Sequence, residues 1–117
     1  MPTHETVKAF TDHVMSEDHV GAIRDWYVED ASMQENGGEP RVGRDTLMAS
    51  EAHALARVAT VKTELLDPPV VDGNAVAIHW RFTFTSKAGT LRVIEEIAWQ
   101  EWRGDKIWRE RFFYDPR

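Results

Sequence analysis

The sequence has 117 residues, of which 42% are hydrophobic, and a formal net charge of −6. This length is typical of a single domain and is enough to bury about two thirds of the unfolded surface, so we expect one domain over residues 1–117. The chain contains no cysteine, which excludes disulfide bonds and thiolate metal sites. Its basic residues are scattered along the chain, which argues against a nucleic-acid partner.

No apolar stretch approaches the ~20 residues that a membrane-spanning helix needs. The sequence starts MPTHE, without the basic and apolar regions of a signal peptide. We therefore expect a cytoplasmic protein that has no membrane partner.

Three helices are predicted in the first half of the chain. Thr3 can cap a helix that ends near Ser16, Asp18 can cap a second that ends near Val28, and Gly43 precedes a third over residues 45–57. The apolar positions that recur at helical spacing are Val7, Phe10 and Val14, then Val20, Ile23, Trp26 and Tyr27, then Leu47, Met48, Leu55 and Val58. Each set predicts one buried helix face.

The second half of the chain alternates apolar and polar residues and is interrupted by turn sequences, which predicts strands. The predicted strands cover residues 31–35, 61–66, 75–85, 90–102 and 106–114. Helices followed by strands with short connections indicate an α+β fold, in which the three helices cover one face of a mostly antiparallel sheet.

Three segments resemble a known family in their order and spacing. They are residues 21–31 (GAIRDWYVEDA), 42–47 (VGRDTL) and 106–116 (KIWRERFFYDP). Residues 21–31 resemble the second helix and first strand of SnoaL-like proteins. Residues 42–47 resemble the segment with the glycine that opens their third helix, and residues 106–116 resemble their final strand. These proteins belong to the superfamily of nuclear transport factor 2, ketosteroid isomerase, scytalone dehydratase and limonene epoxide hydrolase.

The resemblance implies a cone, in which a strongly curved sheet and the three helices enclose one pocket. It implies a small-molecule ligand, no cofactor, no metal site and a homodimer formed through the convex face of the sheet. It does not imply one reaction, because this fold carries many unrelated chemistries.

The long strand over residues 75–85 has two opposite faces. One carries Val76, Ile78, Trp80, Phe82 and Phe84, and the other carries His79 and Arg81. The resemblance places His79 and Arg81 at positions that face the pocket in relatives, with the aromatic face turned outward against a second subunit. In the alternative orientation, the aromatic residues pack on the helices, and His79 and Arg81 are in solvent.

The resemblance also aligns Glu35 with the general base of the ketosteroid isomerases and places Glu110 on the pocket face of the last strand. An apolar pocket raises the pKa of a carboxyl group, which suits it to proton transfer near neutral pH. The predicted catalytic residues are Glu35, His79, Arg81 and Glu110. The predicted substrate-binding residues are Phe10, Trp26, Met33, Glu96, Ala98, Trp108, Phe112 and Tyr114.

Two of these positions lack the donors of a steroid isomerase. Ala98 aligns with an oxyanion-hole aspartate and Phe10 with a tyrosine, so we do not expect an oxyanion hole of that type. The remaining histidines, His4, His13, His19 and His53, lie on the helices or the N-terminal tail without metal-ligand spacing, and we expect them at the surface.

Three functions remain open at this point. The first is a cofactor-independent enzyme that isomerises, dehydrates, cyclises or hydrates a small apolar substrate, with Glu35 or His79 as base and Arg81 orienting a carboxylate or polarising an oxygen. The second is a non-catalytic ligand carrier, favoured by the missing donors. The third is a dimeric interaction module whose pocket is filled by Trp102, Trp108 and Phe112.

Overall fold

The computed structural model describes all 117 residues and contains the three predicted helices. They are α1 (His4–Met15), α2 (His19–Trp26) and α3 (Arg44–Ala56). The side chains of Thr3 and Asp18 cap α1 and α2, as predicted, by accepting hydrogen bonds from the backbone N–H groups of Thr6 and Gly21. None of the helices is long and apolar enough to cross a membrane.

Seven strands form one sheet. They are β1 (Tyr27–Glu35), β2 (Arg41–Val42), β3 (Thr60–Leu65), β4 (Val70–Asp72), β5 (Ala75–Thr85), β6 (Leu91–Arg103) and β7 (Lys106–Tyr114). The spatial order is β2-β1-β7-β6-β5-β3, with β4 also paired to β5. Only β1 and β7 are parallel neighbours, so the sheet is mostly antiparallel, as predicted.

The sequence did not predict all of this sheet. The short strands β2 and β4 were missed, and β1 begins at Tyr27, four residues before the predicted start. The register between β1 and β7 shifts between Tyr27 and Ser32, which marks a bulge. The prediction failed here because the exposed residues Glu29 and Asp30 interrupt the apolar alternation.

The helices pack against one face of the sheet, which we call the inner face. The core residues that meet there are Val7, Phe10, Ile23 and Leu47 from the helices, and Val76, Ile78, Trp80, Ala98, Trp102 and Ile107 from β5, β6 and β7. The opposite surface of β5, β6 and β7 is the outer face. It carries His79, Arg81, Val93, Glu95, Ile97, Trp99, Glu101, Arg111 and Phe113.

The predicted orientation of β5 is therefore wrong. Trp80 is only 2% exposed on the inner face, whereas His79 and Arg81 lie on the outer face. Burying the aromatic stripe removes more apolar surface from water than burying the polar stripe would. The outer face also supplies counter-charges: Arg81 forms a bidentate pair with Glu64 (Nη2–Oε2 2.9 Å), and His79 contacts Asp67 and Glu95 at 2.7 and 3.0 Å.

The predicted position of Trp108 in the pocket is wrong because of a second bulge. Glu101 pairs with Arg109 but Trp102 pairs with Ile107, so Trp108 is an extra residue in β7. It does not line the cavity. Its indole ring instead lies under the guanidinium groups of Arg103 and Arg109, at 4.3 and 3.8 Å from the ring centroid.

Candidate functional site

A cavity of about 580 Å³ lies between the helices and the inner face. Aromatic side chains form much of its wall: Phe10, Tyr27, Trp80, Phe82, Phe84, Phe112 and Tyr114. The rings of Phe82 and Phe84 stack with centroids 6.2 Å apart, and Trp80 lies 5.8 Å from Phe82. This volume is within the range of small-molecule sites, about 300–1,000 Å³, so the aromatic residues do not fill the cavity.

Four glutamates from four different elements line the same cavity. Glu35 ends β1, Glu51 lies on α3, Glu96 on β6 and Glu110 on β7. Glu96 and Glu110 lie on the inner face of adjacent antiparallel strands, where Gln100 pairs with Glu110 and Glu96 with Tyr114. The sheet therefore presents two carboxyl groups on the same face among aromatic rings, with the Ala98–Phe112 pair between them.

Glu110 is 4% exposed and both of its carboxyl oxygens are held by buried donors. The Tyr27 hydroxyl donates to Oε1, and Gln100 Nε2 donates to Oε2 at 2.6 Å. Trp102 Nε1 in turn donates to Gln100 Oε1 at 2.9 Å, which fixes the orientation of the amide. This network holds the Glu110 carboxyl group in one position.

The pKa of Glu110 is raised from 4.5 to about 7, because burial disfavours its charged form more than the hydrogen bonds from Gln100 and Tyr27 favour it. The pKa of Tyr27 is raised well above 10, first by burial and then by the charge of Glu110. Tyr27 therefore stays protonated and acts as a donor, while Glu110 can lose or gain a proton near neutral pH.

Glu96 has no hydrogen-bond partner among the protein side chains and is half-buried in the cavity wall. Burial, followed by the charges of Glu110, Glu35 and Glu51, raises its pKa from 4.5 to about 8. Glu96 is thus mostly protonated at neutral pH and can donate a hydrogen bond to a ligand.

Arg41 supplies the counter-charge closest to Glu35. Its Nη2 lies 3.4 Å from Glu35 Oε1, while Glu35 Oε2 is buried without a partner. Glu51 has a raised pKa because it is buried, although the nearby His19 and Arg41 side chains oppose this effect. Glu35 and Arg41 thus add an ion pair to the cavity wall.

His19 is 8% exposed and lines the cavity, contrary to the expected surface position. Its Nε2 lies 2.8 Å from Thr63 Oγ1 on β3, and its ring meets that of Phe82 edge-on at 5.8 Å. His19, Ile23 and Tyr27 all line the cavity. The spacing of four residues puts His19 and Ile23 on one side of α2, with Tyr27 following as its C-cap, a signal that the sequence already contained.

The structure brings together seven of the predicted site residues: Phe10, Met33, Glu35, Glu96, Glu110, Phe112 and Tyr114. His79, Arg81, Trp26, Ala98 and Trp108 do not line the cavity. Ala98 is fully buried in the core, between Ile78 and Phe112 on its neighbouring strands. Trp26 lies where α1 meets α2, and its Nε1 donates to His13 Nδ1 at 3.1 Å.

Besides His19, sequence reasoning missed the polar residues Tyr27, Glu51 and Gln100. Glu51 lies four residues from both Leu47 and Leu55, so it had to share the predicted buried face of α3. Gln100 alternates with Ala98 and Trp102 on β6, which marks it as an inward polar residue. No group of three or more His, Asp or Glu side chains could hold a metal ion.

Comparison with known proteins identifies the family. A model of the SnoaL-like domain matches residues 7–110, which is most of the chain. The chain belongs to the SnoaL-like family. Among curated proteins, none matches this sequence.

Solved structures of SnoaL-like and related proteins superpose along nearly the whole chain. A candidate SnoaL-like polyketide cyclase from Mesorhizobium loti has 25% identity and a TM-score of 0.80, with 97% of this chain and 100% of that chain covered. A hypothetical protein from Catenulispora acidiphila with a ketosteroid isomerase-like fold, solved with trimethylamine, has 18% identity and a TM-score of 0.80 (96% and 86% covered). TerC, co-crystallized with polyporic acid, has 17% identity and a TM-score of 0.78 (95% and 88% covered). The fold predicted for this SnoaL-like chain is thus confirmed.

Proposed function

We propose that this SnoaL-like protein binds a small, largely apolar carbonyl compound in the cavity and catalyses proton transfer on it without a cofactor. The observation that carries the proposal is the pair Glu96 and Glu110, whose pKa values of about 8 and about 7 lie near neutrality inside one aromatic-walled cavity. An acid and a base are most effective when their pKa values lie close to the working pH.

The two carboxyl groups suit different roles. Glu96 is mostly protonated at neutral pH and free of protein partners, so it donates a proton to the carbonyl oxygen. Glu110 is ionised in a large fraction of molecules at neutral pH, so it accepts the proton that leaves the neighbouring carbon. The substrate loses a C–H proton and gains an O–H proton, which is the enolisation step shared by isomerisation, dehydration and ring-closing reactions.

Two of the similar solved structures are consistent with such a substrate. The Mesorhizobium loti protein is described as a candidate polyketide cyclase, and TerC was co-crystallized with polyporic acid. The aromatic wall of Trp80, Phe82 and Phe84 would bury a flat apolar ring system.

Hydrogen–deuterium exchange of 2-tetralone, a bicyclic ketone with acidic C–H groups, tests this proposal. NMR in D₂O follows the exchange, and tryptophan fluorescence follows binding. We expect the protein to accelerate exchange, and Glu96→Gln and Glu110→Gln to lower the acceleration about 100-fold or more. Glu101→Gln, which changes a glutamate on the outer face of the same strand, is the matched control and should leave the rate unchanged.

The possible outcomes separate the open functions. Binding of 2-tetralone without faster exchange would favour the non-catalytic ligand carrier, for which the missing donors at Phe10 and Ala98 are the specific evidence. An exchange rate that stays at the wild-type value in both Glu96→Gln and Glu110→Gln would contradict the assignment of these two residues. The absence of both binding and exchange would contradict the proposal as a whole.

We also infer that two copies associate through the outer face. Ile97, Trp99 and Phe113 are 39%, 46% and 42% exposed there, and Ile97 is paired directly with Phe113 across β6 and β7. An exposed apolar patch of this kind is typical of an interface. Glu101 and Arg109 lie opposite each other beside the patch, and a two-fold axis would bring such acidic and basic groups of two copies together.

A further inference from the structure

The turn between α1 and α2 begins a hydrogen-bonded chain behind the cavity, in which Thr63 and His19 are buried. Glu17 Oε2 accepts from the backbone N–H of Thr63 at 3.0 Å, and Glu17 Oε1 accepts from the Thr63 hydroxyl. Thr63 Oγ1 also lies 2.8 Å from Nε2 of His19, the first residue of α2. The chain Glu17–Thr63–His19 thus leads from the surface turn to the cavity wall.

The backbone of Glu17 is unusual for its residue type. Its φ angle is 72°, in the left-handed region that favours glycine. A non-glycine residue in this region carries an energetic cost. The two hydrogen bonds to Thr63 offset this cost, so the turn is built around the position of the Glu17 carboxylate.

The hydrogen bonds determine which ring nitrogen of His19 carries the proton. A carboxylate only accepts, so the single hydroxyl proton of Thr63 goes to Glu17. Thr63 Oγ1 then has only lone pairs left for His19, and the ring must donate through Nε2–H. In the neutral ring the lone pair is then on the other nitrogen, Nδ1, which has no hydrogen-bond partner in the chain.

We propose that His19, held in the Nε2–H form by Thr63 and Glu17, uses Nδ1 to accept a hydrogen bond from a hydroxyl group of the bound ligand. The inference rests on the proposed function and narrows its substrate class to ring carbonyl compounds that also carry a hydroxyl. Glu96 meets the carbonyl oxygen as a donor, and His19 meets the hydroxyl as an acceptor. His19 is then a ligand-binding residue, and Thr63 and Glu17 are its positioning residues.

Nitrogen-15 NMR of the imidazole ring tests the positioning step in the ligand-free protein. We expect the Nε2–H form to dominate for His19. Thr63→Val, which removes the hydroxyl but keeps the shape, should produce a mixture of both forms, whereas Thr63→Ser should retain the wild-type form. A dominant Nδ1–H form in the wild-type protein, or a spectrum that Thr63→Val does not change, would overturn the inference.

A matched pair of ligands tests the contact itself. 2-Naphthol carries a hydroxyl donor, and 2-methoxynaphthalene has the same ring system without a donor. We expect 2-naphthol to bind roughly tenfold more tightly, the value of about one hydrogen bond, and to shift the His19 Nδ1 resonance. His19→Phe and Thr63→Val should reduce this preference, and Thr63→Ser should preserve it.

Equal binding of the two probes, or an Nδ1 resonance that 2-naphthol leaves in place, would overturn the role of His19 while leaving the cavity as a ligand site. Failure of both probes to bind would contradict the proposed function and this inference with it. Because Thr63→Val keeps the imidazole ring, the test does not depend on whether His19→Phe folds.

Discussion

The hydroxyl group of Tyr27 donates a hydrogen bond to Oε1 of Glu110, which joins the first residue of β1 to the inner face of β7. Tyr27 is also the C-cap residue of α2, where its backbone N–H bonds to the carbonyl of Ile23. The change from helix to strand therefore occurs at a residue that holds the Glu110 carboxyl group.

Tyr27→Phe should raise the pKa of Glu110 above about 7. The lost hydrogen bond favours the charged carboxylate, and the burial that opposes ionisation remains. Carbon-13 NMR titration of the Glu110 carboxyl carbon measures the shift. Tyr114→Phe removes a hydroxyl elsewhere in the cavity wall and serves as the control. A Glu110 pKa that stays unchanged or falls in Tyr27→Phe would show that the contact does not stabilise the carboxylate.

The free energy of unfolding should decrease as the pH rises from 4.5 to 8. In this interval the folded protein keeps protons on Glu96 and Glu110, which the unfolded chain releases near 4.5. The folded state thus binds more protons, and each group removes on the order of 1 kcal/mol of stability per pH unit within its interval.

Glu96→Gln isolates one of these contributions. Urea titrations across the interval should show a flatter pH dependence for Glu96→Gln than for the wild-type protein, because glutamine does not titrate. The control is Glu101→Gln on the outer face, for which the slope should match the wild type. Equal slopes in all three proteins would mean that burial does not hold the proton on Glu96.

His79→Gln should leave ligand binding unchanged and should lower stability more at low pH than at high pH. Hydrogen bonds to Asp67 and then to Glu95 raise the pKa of His79 above 6.5 in the folded protein. The stabilisation contributed by the positive charge of His79 is fully present below pH 6.5, and it is lost as the pH rises through the folded-state pKa. Urea titrations at two pH values and binding of 2-tetralone measure the two effects. Weaker binding of 2-tetralone to His79→Gln would contradict this prediction and would show that His79 contributes to the ligand site.

Trp99→Glu and Phe113→Glu should convert a dimer to a monomer without changing the cavity. Each places a charge in the middle of the apolar patch on the outer face, where a second copy would have to desolvate it. Analytical ultracentrifugation measures the mass. Val42→Glu adds the same charge to an exposed position on the edge strand β2 and is the control. A monomeric wild-type protein would refute the outer-face dimer.

Local patterns were sufficient for much of the fold. The apolar spacing of Val7, Phe10 and Val14 and the capping residues Thr3 and Asp18 predicted two helices, because these interactions act within a few residues. Turn sequences and alternation likewise predicted the hairpins of β5, β6 and β7. The positions of Glu35, Glu96 and Glu110 in the cavity agreed with the resemblance to the family.

Alternation by itself separated the two faces of β5 but did not say which one meets the helices. Packing of the helices determined that Trp80 is buried. The carboxylates of Glu64, Asp67 and Glu95, which come from other parts of the chain, stabilise His79 and Arg81 on the outer face. The bulge at Trp108 had no local signature and depends on the register of β6 against β7.

Neighbouring residues in the sequence were enough to predict the three helices, the long strands, their amphipathic faces and the family resemblance, because those properties arise from local patterns. Which polar groups share the cavity depends on how distant segments fold together. Glu51 and His19 come from helices, Glu35 from β1 and Glu110 from β7, and the curvature of the sheet brings them together. The perturbed ionisation of Glu96 and Glu110 exists only after folding, because it is caused by burial among residues distant in the chain.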